Sequence, residues 1–444
     1  MSILNYESPL PIYALDWAKT PGAGPSSHLP RSNFRLALGT FSEDFRNRVQ
    51  IIGLPDESPL QEIIPDDPYA SSTPSNAPEG KSDFVVLADA LHGYPITKIG
   101  WEPSSAFREP WKDVSSELLT STGDALRIWE FTEHEGKQMS SYVGRSTTAS
   151  IGKVQQKVAL SSTKNPNPIT APLTSFSWNT ISPHLVVTSS IDTTCTVWDL
   201  SASNAVTQLI AHDREVYDVA WIPGSVDSFV SVGADGSLRA FDLRSLDHST
   251  ILYETPAKPV AKPPTTPGRP SQTPNAPMTR GPTQPLLRIA FNPLDANFLS
   301  TFHAESPDVQ ILDMRSPGRP VVEMRAHLAN VNAVGWSAIE NGLIASASDD
   351  CQLLIWDLSS TGVLPSRPTP SSRSPHPESS QNVPTRSVTD PALAFFSPSE
   401  INNMVWSPPL VGLDAAGRPY TGKGGTQTEW IACAYGRSVR AIRV

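Results

Sequence analysis

The stretch that decides the fold is AVGWSA (333–338), LIASASDD (343–350) and LLIWDL (353–358). The first segment is a short apolar run ending in an aromatic. The second is built of small residues and closes on an acidic turn. The third alternates and ends Trp-Asp. Runs of this length and alternation, bounded by turn residues, read as β-strands. Working outward, the same three-part pattern recurs. Upstream lie LRIAFNP, FLSTF and VQILD (287–313), then DVAWIP, FVSVGADG and LRAFD (218–242), then SFSWN, LVVTSSID and CTVWD (175–199). Further copies are KIGWEP, LLTSTGD and LRIWE (98–130) and ALDW, RLALGTF and RVQII (14–52); downstream lies NMVWSP, WIACAYG and SVRAI (403–442). There are seven copies in all.

Their first-strand aromatics are Trp17, Trp101, Trp178, Trp221, Phe291, Trp336 and Trp406, spaced 84, 77, 43, 70, 45 and 70 residues apart. Residues 55–82, 131–169, 255–285 and 359–391 carry the excess; they are rich in Pro, Ser, Thr and Gly, and Pro256 to Pro285 alone holds ten prolines. Such segments cannot bury a core and are expected as disordered inserts. Without them each copy is about 45 residues, the period of a WD repeat. The expected fold is therefore all-β: a single seven-bladed WD-repeat β-propeller over 1–444 with long loop insertions. Each blade is apolar on both faces and stable only when stacked between neighbours.

Composition fits. Hydrophobic residues make up 38% and charged residues 18%, and proline, at 44 of 444, is about twice ordinary usage. A net charge of −10 argues against a phosphate-tracking surface, so no direct nucleic-acid binding is expected. No apolar run approaches the roughly 18–20 residues of a membrane helix, and no secretory signal is expected. Cys195, Cys351 and Cys433 lack metal spacing and fit reduced thiols of the cytoplasm and nucleus.

No phosphate loop, kinase set, zinc cluster or paired-carboxylate motif appears, so neither an enzyme nor a cofactor or metal site is expected. Gly-Lys-Gly-Gly at 422–425 reads as a turn. Two constellations, His212 with Ser231 and Asp235, and His327 with Ser348, Asp350 and Trp356, imitate a nucleophilic triad. They lack a nucleophile turn and are similar to the buried hydrogen-bond network of WD-repeat blades. Thr255, Thr266, Thr273, Thr369, Ser374 and Ser397 each precede proline and are candidates for proline-directed phosphorylation.

Longer blocks narrow the family. VGADGSLRAFDLRSLDHSTILYE (232–254), APLTSFSWN (171–179), SSIDTTCTVWDL (189–200), QLIAHDREVYDVAW (208–221), INNMVW (401–406), RLALGTF and WIACAYG together closely resemble one WD-repeat family. It comprises Transparent Testa Glabra, AN-eleven and the DDB-one and cullin-four associated factor seven. The resemblance implies a non-catalytic, monomeric adaptor that gathers DYRK-type kinases or transcription factors of the bHLH and MYB types. The loop residues Asp213, Arg214 and Glu215 are candidates for holding such partners. FVSVGADGSLRAFDLR (229–244) also resembles the box by which WD-repeat receptors dock on the DDB-one adaptor of cullin-four ubiquitin ligases. That implies docking through Asp242 and Arg244, with Asp313 and Arg315 as a second copy. The physical rationale is an arginine just past the third strand, projecting toward an acidic partner.

Overall fold

In the computed structural model, residues 2–19, 34–55, 82–104, 116–133, 152–161, 171–256, 283–362, 385–411 and 427–444 are described. They form seven sheets of four antiparallel strands, one of which gains a fifth, and a two-stranded ribbon of Leu410–Val411 with Gln427–Thr428. Blade 1 consists of Ile12–Trp17, Arg35–Thr40, Asn47–Gly53 and Val85–His92. Blade 2 is Lys98–Trp101, Ser116–Thr122, Leu126–Glu133 and Gly152–Leu160. Blade 3 is Leu173–Trp178, Leu185–Ser190, Thr194–Asp199 and Asn204–Ile210. Blade 4 is Val216–Trp221, Ser228–Gly233, Ser237–Asp242 and Ser245–Glu254. Blade 5 begins with Ala290–Phe291, Phe298–Phe302, Val309–Asp313 and Pro320–Met324. Blade 6 is Val331–Trp336, Leu343–Ser348, Gln352–Asp357 and Leu393–Phe396.

Blade 7 is made from both ends of the sequence. Asn403–Trp406, Trp430–Tyr435 and Ser438–Arg443 take their outer strand from Ile3–Glu7, paired antiparallel so that Ile3 faces Ile442 and Glu7 faces Ser438. The ring is thereby closed by backbone hydrogen bonds.

Burial follows the stacking logic closely. The core divides into seven apolar clusters, each spanning one blade interface. The inner-strand tryptophans add a directional link. Trp17 Nε1 donates to the Val405 carbonyl (3.3 Å), Trp221 to Ser177 (3.1 Å), Trp336 to Ala290 (3.0 Å) and Trp406 to Gly335 (2.7 Å). In every case the acceptor immediately precedes the inner-strand aromatic of the preceding blade, so each indole buries its ring between blades and satisfies its N–H there. At Gly335 the approach is so close that a Cβ would stand 2.9 Å from Trp406 Cδ1.

The insert boundaries need correction. Gly152–Leu160, inside 131–169, is the outer strand of blade 2, and Arg386–Val388, inside 359–391, pairs in parallel with Pro320–Met324 as the fifth strand of blade 5. Thr255 is buried at the edge of 255–285, its hydroxyl donating to the Gly236 carbonyl at 2.9 Å. Outer strands escape a search for apolar runs because one face and one edge meet solvent: Asn204–Ile210 has no buried residue. Of the inserts, residues 56–81, 134–151, 162–169, 257–282 and 363–384 lie outside the described residues, as do Gly-Lys-Gly-Gly at 422–425 and Thr266, Thr273, Thr369 and Ser374. Of the other proline-directed candidates, Thr255 and Ser397 are 7% and 9% exposed and hydrogen-bonded, so a kinase has no access to either hydroxyl in the folded chain.

Candidate partner-binding surface

Because successive strands of a blade are antiparallel, its turns alternate between the two ends of the ring. Turns joining second to third strands, and connections between blades, crown one end; turns joining third to fourth strands crown the other.

The histidine networks stand at the first end. His212, at the start of blade 4, places Nδ1 3.0 Å from Asp235 and Nε2 2.7 Å from Ser231 Oγ. A carboxylate only accepts, so Nδ1 carries the proton and Nε2 accepts from the serine. Asp235 also receives the Ser237 hydroxyl at 2.8 Å and Arg239 at 2.9 Å. Burial acts to raise its pKa, but these donors prevail and hold the carboxyl well below the usual range. His327 repeats the pattern in blade 6, with Asp350 at 2.9 Å on Nδ1. Its serine is Ser346 and not the expected Ser348: Ser346 Oγ lies 2.8 Å from His327 Nε2 and receives Trp356 Nε1–H at 2.9 Å. The signal was present, since Ser346 precedes Asp350 by four residues as Ser231 precedes Asp235. Ser348 instead donates to the Ala329 carbonyl and caps the turn at Asp350. Ser231 and Ser346 are both fully buried, so neither hydroxyl meets a substrate. The networks pin the inter-blade connection to the sheet.

Asp213, Arg214 and Glu215 occupy the connection from blade 3 to blade 4 at the same end. Asp213 and Arg214 are exposed and Glu215 is half-buried; Asp213 pairs with Arg239 at 2.9 Å, and Arg214 stands 3.8 Å from Glu215. At the opposite end, Arg244 clamps Asp242 through Nε (2.9 Å) and Nη2 (2.6 Å) while remaining 71% exposed. These hydrogen bonds pull the Asp242 pKa down to about 2. One blade on, Arg315 clamps Asp313 in the same way (2.9 and 2.8 Å), with its guanidinium 5.2 Å from the Phe298 ring centroid.

One set of residues was missed at the level of sequence. Inner-strand positions three before the aromatic form a layer around the central channel, a cavity of about 360 Å³. In blades 2 to 5 that layer holds Lys98, Ser175, Asp218 and Arg288. Asp218 is buried and accepts from Ser175 Oγ (2.5 Å) and Ile289 N (2.8 Å), with Lys98 Nζ at 3.4 Å. Burial works to raise its pKa, but the Lys98 and Arg288 charges lower it on balance. A charged residue at a fixed offset from the aromatic, on an otherwise apolar strand, was the available clue.

Seven repeating blades, with histidine networks at two inter-blade connections, define a WD-repeat propeller. In agreement, residues 318–357 match the family model of the WD domain, G-beta repeat. The chain is 35% identical over 444 residues to the "DDB1- and CUL4-associated factor 7 homolog" of Dictyostelium discoideum, covering all of this chain and 98% of that protein. It is 33% identical to a WD repeat-containing protein of Schizosaccharomyces pombe over 99% of this chain and 89% of the relative. A WD repeat-containing protein of Saccharomyces cerevisiae is 35% identical over 81% of this chain and 59% of its own length. The chain belongs to the DDB1- and CUL4-associated factor 7 family of WD-repeat proteins.

Proposed function

We propose that this protein is a non-catalytic scaffold, active in cytoplasm and nucleus, that uses its loop crown to hold DYRK-type kinases and transcription regulators together. The carrying observation is full-length membership in a family with an adaptor-type name, on a rigid ring whose polar networks are spent on structure. Preformed loops on such a ring bind at little entropic cost. Asp213, Arg214 and Glu215 are the proposed contacts on the blade 3–4 connection.

A second reading, a substrate receptor of a cullin-four ligase, is favoured by one specific feature. Two like Asp-x-Arg clamps, Asp242–Arg244 and Asp313–Arg315, stand on neighbouring blades at one end, each fixing an exposed guanidinium that retains donors for an acidic partner. Affinity purification from cells with crosslinking mass spectrometry separates the readings. Recovery of a kinase or transcription factor supports the scaffold. Recovery of the DDB-one adaptor, lost in Arg244→Ala, supports the receptor. Recovery of neither defeats both.

A further inference from the structure

The protein carries a net charge of −10, yet the charged residues lining its central cavity are Lys19, Lys98 and Arg288 against Asp16 and Asp218, one cation in excess. Asp218 is already engaged by Ser175, Ile289 and Lys98. Lys98 Nζ gives hydrogen bonds to Ser175 (3.0 Å) and Asp218, and its side chain is still 38% exposed. The Arg288 guanidinium donates to the Tyr13 hydroxyl at 2.5 Å and, among the described residues, to nothing else. Most of its five N–H groups are therefore left over. Both cations lie near the starts of their inner strands, the end of the channel that opens on the loop crown.

Beside that mouth stands an aromatic shelf. Tyr13, which takes the Arg288 hydrogen bond, packs against Phe41 with ring centroids 5.6 Å apart. Phe45, on the same turn of blade 1, meets Tyr94 edge-on at 5.6 Å. Phe41, Phe45 and Tyr94 are 47%, 70% and 44% exposed. None of the three belongs to the buried cluster between blades 1 and 2. Exposed aromatics adjoining an arginine are the composition of an interaction hot spot.

We propose that the channel mouth beside blade 1 docks an acidic-hydrophobic segment of a protein partner, its carboxylate on Arg288 and Lys98 and its apolar side chain on Phe41, Phe45 and Tyr94. The proposal rests on the scaffold reading and deepens it. Charge complementarity selects the occupant: a carboxylate restores neutrality to a layer with one cation in excess, whereas a basic segment adds to that excess.

The test is selection of short random peptides displayed on phage against the full chain. The expected result is enrichment of Asp or Glu next to Phe, Leu or Ile. Arg288→Gln loses the acidic preference by at least about tenfold, a change of about 1.4 kcal/mol, and Arg288→Lys restores part of it. Phe45→Ser, at a site too exposed to threaten folding, loses the apolar preference and keeps the acidic one. An absence of enriched peptides, or an acidic preference unchanged in Arg288→Gln, overturns the proposal. So does thermal stabilisation by disodium glutarate that is indifferent to Phe45→Ser, which would mean a small-carboxylate site. If Arg288→Gln and Phe45→Ser recover every wild-type partner from cells, this surface is refuted while the scaffold stands; if the wild type recovers none, the scaffold itself falls.

Discussion

Arg35 is the buried cation on which the seam between blades 1 and 2 turns. It opens the second strand of blade 1, and its side chain is only 4% exposed. Nη2 reaches Glu117 at 2.6 Å and Nη1 reaches Glu133 at 3.0 Å, both on blade 2, while the guanidinium lies 5.5 Å from the Trp101 ring and 5.1 Å from Phe131. Replacing Arg35 by Met keeps most of the apolar stem but takes the guanidinium away from the buried Glu117 carboxylate. Breaking a buried pair by removing one member costs about 3–5 kcal/mol. Glu133 is 36% exposed and regains water, so the lower figure, about 3 kcal/mol, applies. Removing both buried charges in Arg35→Met/Glu117→Leu recovers much of the loss, since a well-packed apolar pair is often as stable as the ionic one. Urea unfolding followed by tryptophan fluorescence measures the three midpoints. A single variant within about 1 kcal/mol of wild type, or a double variant no better than the single, would refute the idea that a buried charge holds this seam.

Four further expectations are as direct. Ser346→Ala deprives both His327 and Trp356 of a partner and costs about 2 kcal/mol, whereas Ser348→Ala costs about 1 kcal/mol; urea midpoints rank them. Burial lowers the pKa of His92 and of His303 to about 4, so each is neutral in the fold. Their contribution is complete above the unfolded pKa of about 6.5 and is lost as pH falls toward 4, at about 1–2 kcal/mol each by pH 5. His92→Gln and His303→Gln should each flatten the stability profile between pH 6.5 and 5. Cys195 and Cys433 are buried, with thiols pushed up to about 12, so iodoacetamide labels the half-buried Cys351 first, as peptide mapping will show. Gly335→Ala forces its methyl against Trp406 and lowers stability by about 1–3 kcal/mol in a melt.

The inner three strands of every blade were legible because they are pressed between neighbours and must be apolar, small or alternating. Val331–Trp336 and Leu343–Ser348 announce themselves for that reason. Outer strands have no such constraint: Gly152–Leu160 leaves Lys153, Gln155, Gln156 and Lys157 exposed and reads as loop. Ile3–Glu7 is too short to count as a repeat and belongs to a blade whose other strands lie at the far end of the sequence. The binding surface was least legible. Lys98, Asp218 and Arg288 stand in three different repeats and become neighbours only when the ring closes. Ser346 was misread for a simpler reason: both it and Ser348 precede Asp350 in a run of small residues, and only registration against Ser231 and Asp235 separates them.

The strand Ile3–Glu7 has a consequence for the time course of folding. It pairs with Ser438–Arg443, which lies about 430 residues further along the chain, so it has no partner until that distant strand has been made. Through that interval the nascent ring is an open arc with apolar blade faces at both ends, the circumstance in which long-range β pairing is slow and aggregation competes. Closure is therefore a late, all-or-none event. A growing chain of this protein is more dependent on protection during synthesis than the finished ring is afterwards.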